Sequence, residues 1–416
     1  MKRTLLVVGG GIEAVPGIQL AQSMGLHVVV SDRDADAEGA AVADDFLLTD
    51  TYDVSRTVAQ AKMFCETVRP IHGVMCMGSD VPQTVAAIAQ DLGLPGISRE
   101  SARLATDKYA MKMKLLADGV PVPWFSLVHS LTHLQEIVLE QGLPLVIKPV
   151  DSRGARGVLR LTAEIDLAWA YQFSLSYSPS QQVLVERFLD GPQVSTETMM
   201  VDGVAHTPGF SDRNYELLET YAPHIIENGG DLPSHLSPSQ QELVGKVVEQ
   251  AARSLGIVEG VVKGDIVVHH GQPYIIEIAA RLSGGYFCTH EIPLNTGVEF
   301  VRHAIYVALG QKPKPEDLLP RYQKCVAQRY LFPSPGRVTR ISDFSHWAHK
   351  PGIAFLQVRV QVGDVVGTIE HHPARAGVVI ATGETREEAA NRAQNVVQNI
   401  QIETIPISQA MLSLCH

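Results

Sequence analysis

The chain has 416 residues, 45% hydrophobic and 19% charged, an ordinary globular balance with room for about two to four domains and a large core. Its 34 basic and 45 acidic residues give a formal net charge of −11 without any Lys/Arg run, which disfavours nucleic acid and anionic membranes as partners. The five cysteines, Cys65, Cys76, Cys288, Cys325 and Cys415, are widely spaced and form no CxxC, which argues against a disulfide framework or zinc site and for a reducing, cytoplasmic compartment. The apolar run Leu5–Val8 is too short for a signal segment or a membrane span.

From residue 1 to about 105, short apolar runs alternate with helical stretches. Thr4–Val8 is a buried strand, Gly9-Gly10-Gly11 a turn and Ala14–Met24 a helix. His27–Ser31 is the next strand, ending at Asp32. Gly73–Met77 follows, ending at Gly78-Ser79-Asp80, and helix Val81–Leu92 leads to a connector at Gly93–Gly96. Strands alternating with helices predict a doubly wound parallel sheet. Gly9–Ala14 fits a loose G-x-G-x-x-A turn, and Asp32 lies 21 residues beyond Gly11, where a dinucleotide site places its ribose acid. An NAD(P)-binding oxidoreductase is therefore a rival reading. The other reading is a turn that shapes one wall of a substrate cleft.

A helix from Ser101 to Leu116 carries Asp107-Lys108 and is broken at Gly119–Pro123. It also carries Met111-Lys112-Met113, the letters of a biotin carrier site, but in a helix rather than a hairpin. Leu143–Val150 is a strand holding Lys148, a costly position for an ammonium unless it has a partner or snorkels. The loop that follows, Asp151-Ser152-Arg153-Gly154-Ala155-Arg156-Gly157, suits a phosphate cradle closed by backbone N–H groups. It is not a Walker A loop. Strand Val183–Phe188 turns at Leu189-Asp190-Gly191. There the backbone and Glu186 suit an adenine edge, and Gln193 suits ribose hydroxyls. Ser195 and Glu197 alternate on the next strand.

Helix Ser237–Leu255 leads into Val261–Gly285, which reads as a β-hairpin with its turn at His269–Gln272. Asp265 and Glu277 are 12 apart and fall on one sheet face, and Arg281 follows. Two carboxylates and a guanidinium suit a Mg²⁺-nucleoside triphosphate: hard oxygens hold the metal and the forked donor holds the transferring phosphoryl group. The tail from about 320 has strands at Val326–Phe332, Phe355–Val360 and Val378–Ala381, and a helix Thr385–Ile400 with Thr385 and Glu388 as a capping box.

Asp107-Lys108, Leu145–Pro149 with its glycine loop, Glu186-Arg187-Phe188-Leu189, Asp265 and Glu277-x-x-x-Arg281, in this order, resemble the ATP-grasp superfamily from about residue 5 to 310. Glu277–Gly285, Gly260–Asp265 and the glycines of the tail look most like the carboxylate–amine ligases, particularly the L-amino-acid ligases. The purine-biosynthesis carboxylases, formate-using ligases and biotin carboxylases share the core, so a carboxylase or formyl-type enzyme using bicarbonate or formate is the alternative.

The resemblance implies an α/β protein, α+β in its ATP-grasp part. Its domains would be a parallel-sheet domain at 1–100, an ATP-grasp domain at 101–318 (subdomains about 101–180 and 181–318) and a small α+β domain at 319–416. It implies ATP, two Mg²⁺ (or Mn²⁺), and a small-molecule carboxylate and amine, amino acids among them. The carboxylate would attack the γ-phosphoryl group and form an acylphosphate, and the amine would displace phosphate. Lys108 and Lys148 would hold phosphates, with Ser152, Gly154 and Gly157 closing over them. Glu186, Arg187, Phe188, Leu189 and Gln193 would hold the nucleoside. Asp265 and Glu277 would ligate metal, and Arg281 would stabilise the transferring group. Asp212, Arg213 and the amides of Ser283, Gly284 and Gly285 would meet substrate, with Tyr215, His290 and Glu291 near the cleft. Relatives often form dimers, so a homodimer is an expected assembly. Two positions depart from the family: Ala279 stands where most members have Asn, and Gln193 where many have Glu.

Overall fold

Leu5, Leu6, Val7 and Val8 form a run that can be buried on both faces only inside a covered parallel sheet. In the computed structural model of the protein, which describes residues 2–407, all four are fully buried. Thr4–Val8 lies between His27–Asp32 and Gly73–Met75, with Asp45–Leu48 outside His27–Asp32, and every pairing is parallel. Leu6 and Val8 pack with Phe64 of helix Val54–Thr67 and Ile88 of helix Pro82–Leu92. Helices Val15–Ser23 and Phe300–Ala308 meet each other, Gly17 facing Met77 and Val301. This is the expected doubly wound sheet, with Asp45–Leu48 as a strand the apolar pattern did not reveal. Cys415 lies outside the described residues.

Two compact units interleave along the chain. One comprises 2–122, Val194–Phe210 and Leu236–Gln323; the other comprises Pro123–Gln193, Ser211–His235 and 324–407.

In the first unit the acidic hairpin runs Gly260–His269 and Gln272–Ala279. Its turn is shorter than the sequence suggested. Only His270 and Gly271 lie outside the strands, at φ of 50° and 80°, and two successive left-handed residues make the tight turn that matches strand twist. Helices Lys108–Ala117 and Pro238–Ser254 contribute Met111, Leu115, Val244 and Val248 to the same core as the hairpin's Ile266, Ile275 and Ile278. The helix expected from Ser101 to Leu116 is two helices, Arg99–Leu104 and Lys108–Ala117. Thr106 bonds back to the Ala102 carbonyl and Asp107 accepts the Ala110 amide at 2.9 Å, so one side chain closes the first helix and the other caps the second.

In the second unit, Phe125–Val128, Val183–Arg187, Leu145–Pro149 and Leu159–Leu161 form an antiparallel sheet covered by helices Leu131–Gln141 and Leu167–Ser176. Strands Gly229–Leu232, Cys325–Leu331, Gly377–Gly383 and Ile353–Val358 form another, with helix Arg386–Asn399 packed on it. A three-stranded sheet of Val365–Val366, Gly336–Ile341 and Ile402–Ile405 completes the α+β tail. No helix among the described residues is long and apolar enough to cross a membrane.

The capping box expected at Thr385 is half formed: Thr385 accepts the Glu388 amide, but the Glu388 carboxylate bonds Glu384 N at 2.7 Å rather than the cap residue. The reciprocal pair occurs at Ser237 and Gln240. Ser237→Ala should therefore cost about 1 kcal/mol in urea unfolding.

Candidate active site

Asp265 and Glu277 are directly opposed in the hairpin register, and cross-strand partners project from the same face of a sheet. A bulge follows Asp265, re-aiming the strand at the acid. Asp265 accepts the Ser195 hydroxyl at 2.9 Å and pairs with the Lys263 ammonium. Glu277 pairs with Lys108 at 3.3 Å, and Lys108 is buried as the first residue of its helix. Two hard anionic groups on one face fit a magnesium ion. Lys108 and Lys263 sit where a divalent cation would compete. Among the described residues no group of three or more His, Cys, Asp or Glu is placed to hold a metal. Ala279 pairs across the strands with Lys263 and is buried.

Arg281 leaves the hairpin and turns to the parallel sheet. Its Nε donates to Asp80 at 3.3 Å and its Nη1 to the Leu282 carbonyl at 3.1 Å. Burial pulls the guanidinium pKa down, but Asp80, and behind it Cys76 and Glu277, outweigh burial and hold it raised. Lys108, Asp265, Glu277 and Arg281 thus come together in one unit.

The turn that follows departs from expectation. Ser283 N donates to Glu197 Oε1 at 3.1 Å, and Gly285 N donates to Glu13 Oε2 at 2.8 Å. These two amides are therefore hydrogen-bonded to carboxylates of the same chain. Glu197 is fully buried, and burial pushes its pKa up to about 7 against the bonds from Ser283 and the charges of Arg281 and Lys263. The Cys288 thiol, raised by burial and then by Glu197, donates to the Ser283 carbonyl at 3.3 Å, which gives it no nucleophilic character. Tyr286 sets its ring edge against His290, whose pKa burial lowers, and Glu291 is buried in the π-helix Phe287–Glu291 rather than facing a cleft.

The glycine turn does not have the environment of a dinucleotide site. Asp32 accepts Gly10 N at 2.7 Å, so the acid is spent on the turn itself. A Cβ on Gly9 would fall 2.2 Å from Ser79 Oγ, and one on Gly39 would fall 2.6 Å from the Gly10 carbonyl. The space over Gly9 and Gly10 is filled by the chain's own atoms, and the ribose-type acid is already bonded within the turn, both of which disfavour the oxidoreductase reading.

In the second unit Lys148 and Glu186 form a buried ion pair at 2.5 Å, the partner that a strand lysine requires. Arg187 donates to the Gln141 carbonyl at 2.7 Å, and Phe188 lies under the Arg160 guanidinium at 5.7 Å. Leu189 enters the turn at Gly191, and Gln193 opens strand Gln193–Val201. Ser152 and its loop neighbours follow the Lys148 strand. Gly154, Ala155 and Gly157 have φ near +60° to +72°, and the Gly154 carbonyl accepts His372 N at 3.0 Å. A Cβ on Gly157 would sit 2.8 Å from Pro149 Cγ, so that turn requires glycine.

Asp212 and Arg213, expected to meet substrate, both have partners within the chain. Asp212 accepts the Ser234 hydroxyl, His235 N at 2.7 Å and Arg386 Nη2 at 2.8 Å. Arg213 pairs with Glu227 through two nitrogens, Nε at 2.8 Å, and lies over Tyr215 at 5.4 Å. Sequence reasoning missed Glu13, Asp80, Glu197 and Lys263 at the site. The available signal was Glu197, an acid amid strand residues that read as buried.

Three family models match: ATP-grasp N-terminal domain over residues 18–96, ATP-grasp domain over 105–285 and L-amino acid ligase C-terminal domain 2 over 329–404. The chain is 27% identical over 343 residues to the uncharacterized protein y4rH of Sinorhizobium fredii (strain NBRC 101917 / NGR234), across 81% of this chain and 69% of that one. It is 24% identical over 337 residues to carnosine synthase 1 of Homo sapiens, across 75% of this chain but 40% of that one. The crystal structure of L-amino acid ligase from Bacillus licheniformis superposes with a TM-score of 0.81 at 19% identity, over 97% of this chain and 99% of that one, a likeness of fold. The chain belongs to the ATP-grasp superfamily. Its tail is similar to the C-terminal domain of the L-amino acid ligases.

Lys148→Met removes the buried ammonium that balances the Glu186 carboxylate and should cost about 3–5 kcal/mol in urea unfolding, most of it recovered when Glu186→Leu is added. For Glu197, the unfolded carboxyl titrates near 4.5 and the folded one near 7. Across that window the unfolded chain releases its proton first, so stability falls as pH rises from about 4.5 to 7. Glu197→Gln should therefore stabilise the fold by up to roughly 3 kcal/mol at pH 8 and by little at pH 4, measured by unfolding at both pH values.

Proposed function

We propose that the protein condenses the carboxylate of one small molecule with the amine of another, both amino acids in the simplest case. ATP activates the carboxylate as an acylphosphate, and ADP and phosphate leave. The observation that carries this reading is the opposed pair Asp265 and Glu277 with Lys108 and Arg281 beside it, in a segment that matches the ATP-grasp domain and precedes an L-amino acid ligase C-terminal domain.

ATP-grasp chemistry needs positioning and charge neutralisation more than covalent help. Lys108 and Lys148 neutralise phosphate oxygens. Asp265 and Glu277 would hold Mg²⁺, two ions or the chemically similar Mn²⁺, which would supply charge neutralisation for the phosphates. Arg281, already ionised and anchored on Asp80, faces the charge that develops as the γ-phosphoryl group transfers. Glu186 holds Lys148 in place, and the backbone from Glu186 to Leu189 with Gln193 holds the nucleoside. Ser152, Gly154 and Gly157 belong to the loop that excludes water from the acylphosphate. The four cysteines among the described residues, Cys65, Cys76, Cys288 and Cys325, are free thiols, which suits a cytoplasmic enzyme.

Phosphate release from Mg-ATP across a panel of amino-acid pairs, with products read by mass spectrometry, tests the reading. Release driven by a pair, with a condensed product, supports it; release driven only by bicarbonate or formate overturns it in favour of a one-carbon substrate. Glu277→Gln and Arg281→Ala should each lower turnover by roughly 10²–10³-fold.

A further inference from the structure

We infer that Glu13, Asp80 and Glu197 are positioning residues for the ligation: together they set the backbone course of Arg281–Gly285 and with it the aim of the Arg281 guanidinium. The inference rests on the reading of Arg281 as the phosphoryl-transfer arginine.

Four attachments fix this short segment. Asp80, past the end of strand Gly73–Met75, holds Arg281 Nε at 3.3 Å. Leu282 bridges Met77 in parallel. Glu197, on strand Gln193–Val201, holds Ser283 N, and Glu13, in the glycine turn, holds Gly285 N. Every residue of the segment except Gly284 is tied to another element, and Gly284 is the point of closest approach. A Cβ there would lie 2.7 Å from Glu13 Oε2. The chain then bends sharply: Tyr286 takes φ of +65°, a left-handed conformation unfavourable for a bulky residue, and a π-helix begins at Phe287. Such backbone persists only where its surroundings over-determine it.

The three acids are not equivalent surface charges. Glu197 is fully buried and spends one oxygen on a single backbone amide. A glutamine could accept that same bond without burying a charge. The carboxylate costs the fold stability and gains a stronger, charge-assisted bond at the base of the turn. That trade is expected of a residue kept for geometry at a reacting centre. The same logic accounts for the N-terminal glycine motif. Its glycines let the turn approach Ser79 and helix Glu38–Val42 closely, and the turn delivers Glu13 to Gly285.

The test uses the full-length protein and the variants Glu13→Gln, Asp80→Asn and Glu197→Gln. Amide hydrogen exchange read by mass spectrometry over peptides spanning 281–285 is measured beside steady-state turnover and unfolding. Expected are faster exchange confined to that segment, kcat lowered roughly 10- to 100-fold, and KM for ATP held within about twofold. Glu197→Gln should be slower yet more stable at pH 8, a combination that a merely structural residue does not give. Unchanged exchange in all three variants overturns the inference. So does faster exchange with wild-type kcat, or a loss of kcat that tracks lost stability. If the wild-type protein turns over no substrate pair, the ligase reading fails, and the exchange data alone decide whether the acids hold the segment.

Discussion

The register of one hairpin decides most of what this protein can do. Asp265 and Glu277 are useful only because they are opposed, and a slip of one residue would send either carboxylate to the other face. The register is fixed from two sides. The His270-Gly271 turn admits one strand pairing, and Ile266, Ile275 and Ile278 must all reach the core beneath helices Lys108–Ala117 and Pro238–Ser254. Packing of apolar side chains therefore places the charged ones.

Charge is concentrated where it is expensive. Lys148 with Glu186, Lys108 with Glu277, Lys263 with Asp265 and Arg281 with Asp80 are all partly or wholly withdrawn from water. Replacing such pairs by apolar residues is often neutral or stabilising, so their presence is poor evidence of a stability role. They hold cationic and anionic groups in place within the fold, as the proposed phosphoryl transfer would require. Glu197 is the extreme case, a carboxylate whose burial lifts its pKa to about 7.

The glycine turn and the three-residue run Ser283–Gly285 carried similar signals in the sequence: small residues beside chemistry-bearing ones. Both read, from sequence, as places where backbone amides meet a ligand. In the fold their amides meet the chain's own carboxylates. Asp32 closes on Gly10, and Glu13 closes on Gly285. Glycine marks close approach, and the sequence does not say whether the approaching group is a ligand or another part of the same chain.

The sequence by itself determined the doubly wound sheet, the acidic hairpin and the order Lys108, Lys148, Glu186, Asp265, Glu277, Arg281, because apolar periodicity and turn residues are local properties. It also showed that Lys148 must either find a partner or snorkel, since an ammonium between apolar strand neighbours is costly. Only the tertiary structure decided which partner, because Glu186 lies 38 residues away and meets Lys148 across two antiparallel strands. Only the tertiary structure gave Asp212 and Arg213 their partners within the chain, Arg386 and Glu227. Likewise, Glu13, Asp80 and Glu197 come from three distant segments to one turn, and no spacing rule connects them. Local pattern sets what each residue can bear; long-range packing sets what it touches.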